Sequence, residues 1–223
     1  MQNQSALPAL LFDLDGTLID SIQLLLDCVG YAFQGQSRAP TRAQWVAGIG
    51  TPLRSQLAQW CDTEQETDHL IERYREYQDL HLEELTTLYP GVMDVLTWLR
   101  ERGHPMAIVT SKGTGMTERS LRHVGIDNLF DTVITCEQTS RHKPEPDPVL
   151  LALDRLGKPA TQALFVGDSP HDMFAGRAAR VYTAAAMWGP FSRETLSPAR
   201  PDFWASAFPD LRPIIAGLRP VKD

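Results

Sequence analysis

Residues 9–21 read ALLFDLDGTLIDS: four apolar side chains, Ala9 to Phe12, run straight into Asp13, and a second aspartate, Asp15, follows after Leu14. An apolar run of this length, bounded by turn residues, is the mark of a strand buried on both faces of a parallel sheet. The strand expected here, Leu10 to Asp13, ends on charge. In an extended segment residues two apart point the same way, so Asp13 and Asp15 are expected to converge at the carboxyl end of the strand. Two close carboxylates repel, and either one takes up a proton or a cation compensates them. Asp15-Gly16-Thr17 also reads as ordinary turn chemistry. A turn accounts for Asp15 and Gly16 but leaves Asp13 unexplained.

From Leu88 onward helices alternate with short apolar strands. PGVMDVLTWLRERG puts Val92, Val95, Leu96 and Leu99 on one helical face and stops at Gly103, and MAIVT follows as a buried strand. A helix near Thr117 to His123 stops at Gly125, and Thr132 to Thr135 reads as the next strand. In DPVLLALDRLG, Asp147 is expected as the N-cap, Pro148 as the first helical residue and Gly157 as the stop. A strand over Ala163 to Val166, a helix from Pro170 to about Ala179, a strand in VYTAAAM and a short helix near Leu211 to Leu218 complete the pattern, with DFW as an edge strand in the Pro-rich tail. Such alternation means a parallel sheet with helices on both faces and right-handed crossovers. The fold class is α/β, a doubly wound, Rossmann-like core.

Ile22 to Thr86 does not continue the alternation. IQLLLDCVGYAF, TRAQWVAG, TPLRSQLAQW and the long EQETDHLIERYREYQDLHLEEL all carry helical spacing. An all-helical insert after the first strand lies above the carboxyl ends of the strands, the edge where open α/β sheets bind ligands. Residues 21–87 are therefore assigned to an inserted lid domain, and residues 1–20 and 88–223 to the core.

Other strand ends carry complementary groups. MAIVT ends on Thr110, followed by Ser111; RHKPEPDP sets Lys143 ahead of a helix; ALFVGDSPHD ends on Gly167 and Asp168, with Asp172 four residues on. Each has a plain structural explanation: Thr110 suits any strand, Lys143 could be solvated, and Ser169 with Asp172 forms a capping box around Pro170. What those explanations lack is a reason for all of them to fall on one edge of one sheet. Asp13, Asp15 and Asp168 offer the hard oxygens that suit Mg²⁺ beside a phosphate, while a hydroxyl, backbone N–H groups and a lysine suit the phosphate oxygens. Phosphate monoester hydrolysis needs accelerations up to ~10²¹, whereas one general acid or base supplies only ~10²–10⁴. Cation, lysine, positioning and a carboxylate nucleophile are then needed together.

Composition narrows the class further. Lys and Arg number 21 against 28 Asp and Glu, a net charge of -7, which argues against a nucleic-acid footprint. Cys28, Cys61 and Cys136 are odd in number and form no C-x-x-C pair, which speaks against a disulfide framework or zinc site and for a reducing compartment. MQNQSALP has no basic leader region and no apolar run approaches a membrane span, so a soluble cytoplasmic protein without membrane partners is expected.

FDLDGTLIDS, IVTSK, KPEPDP and VGDSPHDMFAG, in that order, resemble the four motifs of the haloacid dehalogenase superfamily, in its phosphatase branch with a helical cap after the first strand. The resemblance covers essentially the whole chain. It implies Asp13 as nucleophile and Asp15 as general acid/base that also lends its backbone carbonyl to Mg²⁺. It further implies Thr110 as the phosphate-binding hydroxyl, with Ser111 beside it, Lys143 as the neutralising cation, and Asp168 and Asp172 as metal-site acids. Asp20 and Ser21 match the approach to the cap hinge.

The same comparison separates neighbours. Dehalogenases proper lack an acid at the position of Asp15, and phosphonoacetaldehyde hydrolases need a cap lysine, whereas the first lysine of this chain is Lys112. Arg180, in GRAARV, stands where relatives commonly place glycine. The expected activity is a Mg²⁺-dependent phosphatase on a small phosphorylated metabolite, phosphoglycolate phosphatase-like through GIGTPL and MWGPF, with inorganic pyrophosphatase and phosphomutase as alternatives. A receiver-like module that stores phosphate on Asp13 is the alternative from another class; receivers lack the insert and the second aspartate. Arg54 is the expected cap contact to a second anionic group, and a monomer or homodimer is the expected state.

Overall fold

The computed structural model describes residues 7–218; residues 1–6, within the segment read above as leaderless, and residues 219–223, assigned above to the core, lie outside the described residues. β1 (Ala9–Phe12) leads through a short β2 (Ile19–Asp20) into α1 (Ile22–Ala32), α2 (Arg42–Gly48), α3 (Leu53–Leu57) and α4 (Glu64–His81). The chain returns in β3 (Thr87–Leu88), which pairs antiparallel with β2. Strands and helices then alternate: α5 (Val92–Glu101), β4 (Met106–Val109), α6 (Thr114–Val124), β5 (Thr132–Ile134), α7 (Asp147–Leu156), β6 (Ala163–Gly167) and α8 (Pro170–Ala178). β7 (Tyr182–Ala186), α9 (Arg193–Leu196), β8 (Phe203–Ala205) and α10 (Leu211–Gly217) follow.

The main sheet has the order β5-β4-β1-β6-β7-β8 and is parallel throughout. β1 occupies its interior because its four side chains are apolar and wholly buried. Alternation divides them: Leu10 and Phe12 pack with Val95, Leu99, Leu211 and Ile215 on one face, while Ala9 and Leu11 pack with Val149, Leu153 and Ala175 on the other. At about 25 cal/mol per Å² of apolar area removed from water, such two-sided burial is the main force holding the strand. The chain winds outward from β1 through β4 to β5, then returns to β6 and winds the other way. Ligands of α/β sheets bind in the crevice at such a reversal, and here it lies at the carboxyl end of β1.

The inserted helices gather round a separate core of Leu24, Cys28, Leu57, Leu70 and Tyr74. Thr41 with Gln44 and Thr63 with Glu66 open α2 and α4 as capping boxes, each satisfying backbone N–H groups that the first turn leaves free. Both links between insert and core run through the β2–β3 pair.

Several boundaries differ from the sequence expectation. β1 stops at Phe12, so Asp13 and Asp15 are not part of an extended strand. The long insert helix ends at His81, where the chain turns so that Glu83 meets Arg119 and Thr87–Leu88 can pair with Ile19–Asp20. TPLRSQLAQW is a short helix followed by a 3-10 turn over Ala58–Trp60. α6 starts earlier than expected, behind Gly113. Asp147 is the first residue of α7 and not its cap; its carboxylate accepts from Arg141 Nε at 2.9 Å. Arg180 takes φ +60°, the left-handed conformation that glycine adopts more cheaply. No helix among the described residues is long and apolar enough to cross a membrane.

Candidate active site

Strand register brings the sequence motifs together. β1 pairs with β4 on one side and β6 on the other, with Phe12 opposite Ile108 and Val166. Asp13, Thr110 and Asp168, each just past one of these strand runs, therefore share one edge. Asp13 is fixed at the backbone by its N–H to the Val166 carbonyl at 2.9 Å, and Thr110 by its N–H to Ile134 at 2.9 Å.

Lys143 is the hub. Its Nζ donates to Asp13 Oδ1 at 2.8 Å, to Asp172 Oδ1 at 2.6 Å and to the Val109 carbonyl at 3.2 Å. Asp172 faces two ways: its other oxygen accepts from the Ser169 N–H and hydroxyl at 3.0 and 2.6 Å, closing the capping box expected at the start of α8. Capping therefore aims the remaining oxygen at Lys143. Asp168 Oδ1 accepts from the Thr17 hydroxyl at 2.6 Å, while its Oδ2 is buried with no hydrogen-bond partner among the described residues.

Oxygens of Asp13, Asp168 and Asp172 lie within 4.8 Å of one another, and all three residues are buried. Three carboxylates against the one ammonium of Lys143 leave two negative charges if all are ionised. The electrostatic consequences follow. Burial, aided by the charge of Asp172 and opposed by Lys143, pushes the Asp13 carboxyl up to about 7. Burial together with Asp13 and Asp172 drives Asp168 well above the usual carboxylate range. Burial opposes the charge on Lys143, but Asp13 and Asp172 outweigh it and raise its pKa.

Such a set fits a small divalent cation. The donors are hard oxygens, their excess charge matches, and Asp168 Oδ2 is an unpaired acceptor that a cation would satisfy. The space around it is reserved by glycines: a Cβ at Gly16, which has φ +89°, would lie 2.6 Å from Asp168 Oδ2, and one at Gly189 would lie 2.3 Å from Asp168 Cβ.

Asp15 stands apart from that cluster. The turn at Gly16 directs its Oδ1 to the Ser21 hydroxyl at 2.6 Å and Lys112 Nζ at 2.7 Å. Asp13 and Asp15 thus line one cavity at the carboxyl end of β1, as the sequence leads one to expect, but past the turn at Gly16 their carboxylates take different partners, Lys143 for Asp13 and Lys112 with Ser21 for Asp15. That cavity, about 640 Å³, lies between the sheet edge and the insert, with Asp13, Thr110 and Ser111 on one side and Trp45, Tyr74 and Gln78 on the other. Ser111, expected to meet phosphate, donates to the Gly50 carbonyl of the insert at 2.6 Å. Arg54 lines the cavity, but its guanidinium is already paired with Asp68.

Sequence reasoning missed Thr17, read only as a turn residue, and Lys112, noted only as the first lysine. The signal for Lys112 was its place in IVTSK, directly behind two assigned residues. It also missed Arg119, whose guanidinium spans from α6 to the insert, meeting Glu83 at 2.8 Å and Asp79 at 3.2 Å.

Comparison with known proteins agrees with the motifs and the fold. Pyrophosphatase PpaX of Bacillus velezensis is 36% identical over 207 residues, covering 91% of this chain and 94% of that protein. Pyrophosphatase PpaX of Bacillus pumilus is 33% identical over 217 residues, covering 96% and 98%. The crystal structure of a "predicted phosphoglycolate phosphatase" from Haemophilus somnus superposes with a TM-score of 0.83 at 27% identity, covering 93% of this chain and 97% of that one. The profile described as haloacid dehalogenase-like hydrolase matches residues 10–186, and the chain belongs to that family.

Proposed function

We propose that this protein is a Mg²⁺-dependent phosphohydrolase that transfers a phosphoryl group from a small substrate to Asp13 and then to water. The observation carrying this reading is the Asp13 carboxylate, held 2.8 Å from Lys143 at the edge of the cavity with Asp168 and Asp172 behind it. Asp13 Oδ attacks phosphorus, the bond to the leaving oxygen breaks, and Asp15 donates the proton that the leaving oxygen needs. Asp15 then takes a proton from water, which attacks the aspartyl phosphate and frees inorganic phosphate. Lys143 and the hydroxyl of Thr110 neutralise and orient the phosphoryl oxygens. Mg²⁺, held by Asp13, Asp168, Asp172 and the Asp15 carbonyl, would supply charge neutralisation at the phosphoryl group.

For the substrate, the names of relatives matched along nearly their full length favour inorganic pyrophosphate. A carboxylated phosphomonoester such as phosphoglycolate is the second reading, supported by the structural neighbour. Phosphate release from both compounds, with and without Mg²⁺, tests the proposal. Steady turnover that needs Mg²⁺ and disappears in Asp13→Asn, by more than about 10³-fold, is expected. A single stoichiometric burst would instead favour a phosphate-storing module, and full activity in Asp13→Asn would remove the nucleophile assignment.

A further inference from the structure

Four cationic side chains reach the cavity: Arg54, Arg75, Lys112 and Arg119. Three already have carboxylate partners, Asp68 for Arg54, Asp15 for Lys112, and Asp79 with Glu83 for Arg119. Arg75 forms no ion pair among the described residues, although it lines the same cavity.

Helical period puts it there. α4 turns Ile71, Tyr74, Arg75, Gln78 and Asp79 toward the cavity, a spacing of three and four that defines one face. Ile71, Tyr74 and Gln78 are buried, Asp79 is held by Arg119, and Arg75 is left as an exposed charge with no ion-pair partner among the described residues. Its guanidinium is also close enough to Cys136, on the core side, to pull down a thiol pKa that burial and Glu137 push up. In a chain of net charge -7, an arginine without a carboxylate partner facing a concave site is a ready receptor for an anion.

We propose that Arg75 binds a second anionic group on the leaving portion of the substrate, so that the site selects phosphate esters or anhydrides whose leaving group is itself an anion. The assignment rests on the phosphohydrolase reading and deepens it, moving the expected role of Arg54 to a residue one helix further along. A terminal phosphate and a carboxylate both match the planar fork of a guanidinium, and a lysine replaces it only as a point charge.

The test compares kcat/KM for pyrophosphate, phosphoglycolate and p-nitrophenyl phosphate, whose leaving group carries no separate anionic substituent. In Arg75→Ala the preference for pyrophosphate or phosphoglycolate over p-nitrophenyl phosphate should fall about tenfold or more, the effect of losing a charged hydrogen bond, and Arg75→Lys should restore part of it. Taking a ratio cancels any loss of folded protein. Whichever of the two anionic substrates shows the larger fall identifies the source of the second charge; an unchanged ratio for both overturns the proposal. Calorimetric binding of pyrophosphate and of inorganic phosphate to Asp13→Asn, with and without Arg75→Ala, gives a reading independent of turnover. Pyrophosphate binding alone should weaken; equal effects on both ligands overturn the assignment of Arg75. Absence of turnover in the unmodified protein would sink the phosphohydrolase reading and leave that binding result to decide Arg75.

Discussion

Lys112 Nζ lies 2.7 Å from Asp15 Oδ1, and the same oxygen accepts the Ser21 hydroxyl at 2.6 Å. The contact joins the loop after β4 to the turn after β1 across 97 positions of sequence, with both side chains largely withdrawn from solvent. It fixes the orientation of Asp15, so that on the acid/base role proposed above its other oxygen is the one available for proton transfer.

Lys112→Met should therefore cost activity without touching the nucleophile. Losing an oriented acid/base is worth roughly 10²–10⁴-fold, and a misplaced one should lose the lower part of that range. Steady-state rates together with quench trapping of phosphoenzyme check it: trapped phosphoenzyme should rise in Lys112→Met, and Lys112→Arg should recover part of kcat. Wild-type rates in Lys112→Met would show that Asp15 needs no such support.

If Asp168 holds the proposed Mg²⁺, metal binding and stability are linked through it. With Mg²⁺ at about 100 times its Kd, binding to the native state alone adds about 2.7 kcal/mol. For a domain of this size that corresponds to a rise in Tm of roughly 5–10 °C. Asp168→Asn removes one of three crowded carboxylates, so the metal-free Tm should hold or rise while the Mg²⁺-induced shift collapses. Thermal denaturation with EDTA and with Mg²⁺ measures both; an undiminished shift in Asp168→Asn would place the cation elsewhere.

Arg180 offers a stabilising change. At φ +60° a residue with a Cβ sits in a conformation costing about 1–2 kcal/mol, and the side chain is exposed. Part of that gain is lost to the greater freedom of glycine in the unfolded chain. Arg180→Gly should raise stability by about 0.5–1 kcal/mol, seen as a higher urea midpoint with unchanged kcat. A lower midpoint would mean that the arginine makes contacts worth more than the backbone strain.

His104 gives a pH signature away from the site. Burial lowers its pKa, against the pull of the Pro8 carbonyl, to which Nδ1–H donates at 3.2 Å. The unfolded chain therefore binds a proton before the native state does. His104's contribution to stability is fully present above about pH 6.5 and is lost as the pH falls from there through the lowered native value. Urea midpoints at pH 8 and pH 5 should differ less in His104→Gln than in the unmodified protein; identical differences would remove the assignment.

Much of this architecture was legible beforehand because it rests on local chemistry. The alternation of helix and strand after Leu88, the Ser169–Asp172 capping box and the glycine stops at Gly125 and Gly157 each follow from neighbours in sequence. The grouping of Asp13, Thr110 and Asp168 needs one step more, that parallel strands present their carboxyl ends at one edge, and Lys143 joins them from the loop before α7. Where local reading misled, a distant partner had intervened. Alternation puts Asp15 on the side of Asp13, and both do line one cavity, but it does not give their different partners: the chain leaves the strand at Phe12 and Lys112 takes the Asp15 carboxylate. Arg54 is the expected cap contact to a second anionic group, but Asp68 on the next helix is already paired with it.

By itself, then, the sequence determined which residue types stand at which strand ends, since hydrophobic period and turn chemistry act over a few residues. Tertiary structure alone decided how charge is shared among them: which of Asp13 and Asp15 meets Lys143, which cations of the cavity are already neutralised, and that among the described residues Arg75 is not. The physical reason is that Coulomb energy depends on distance and burial, and both are settled only when helices far apart in sequence pack over the sheet.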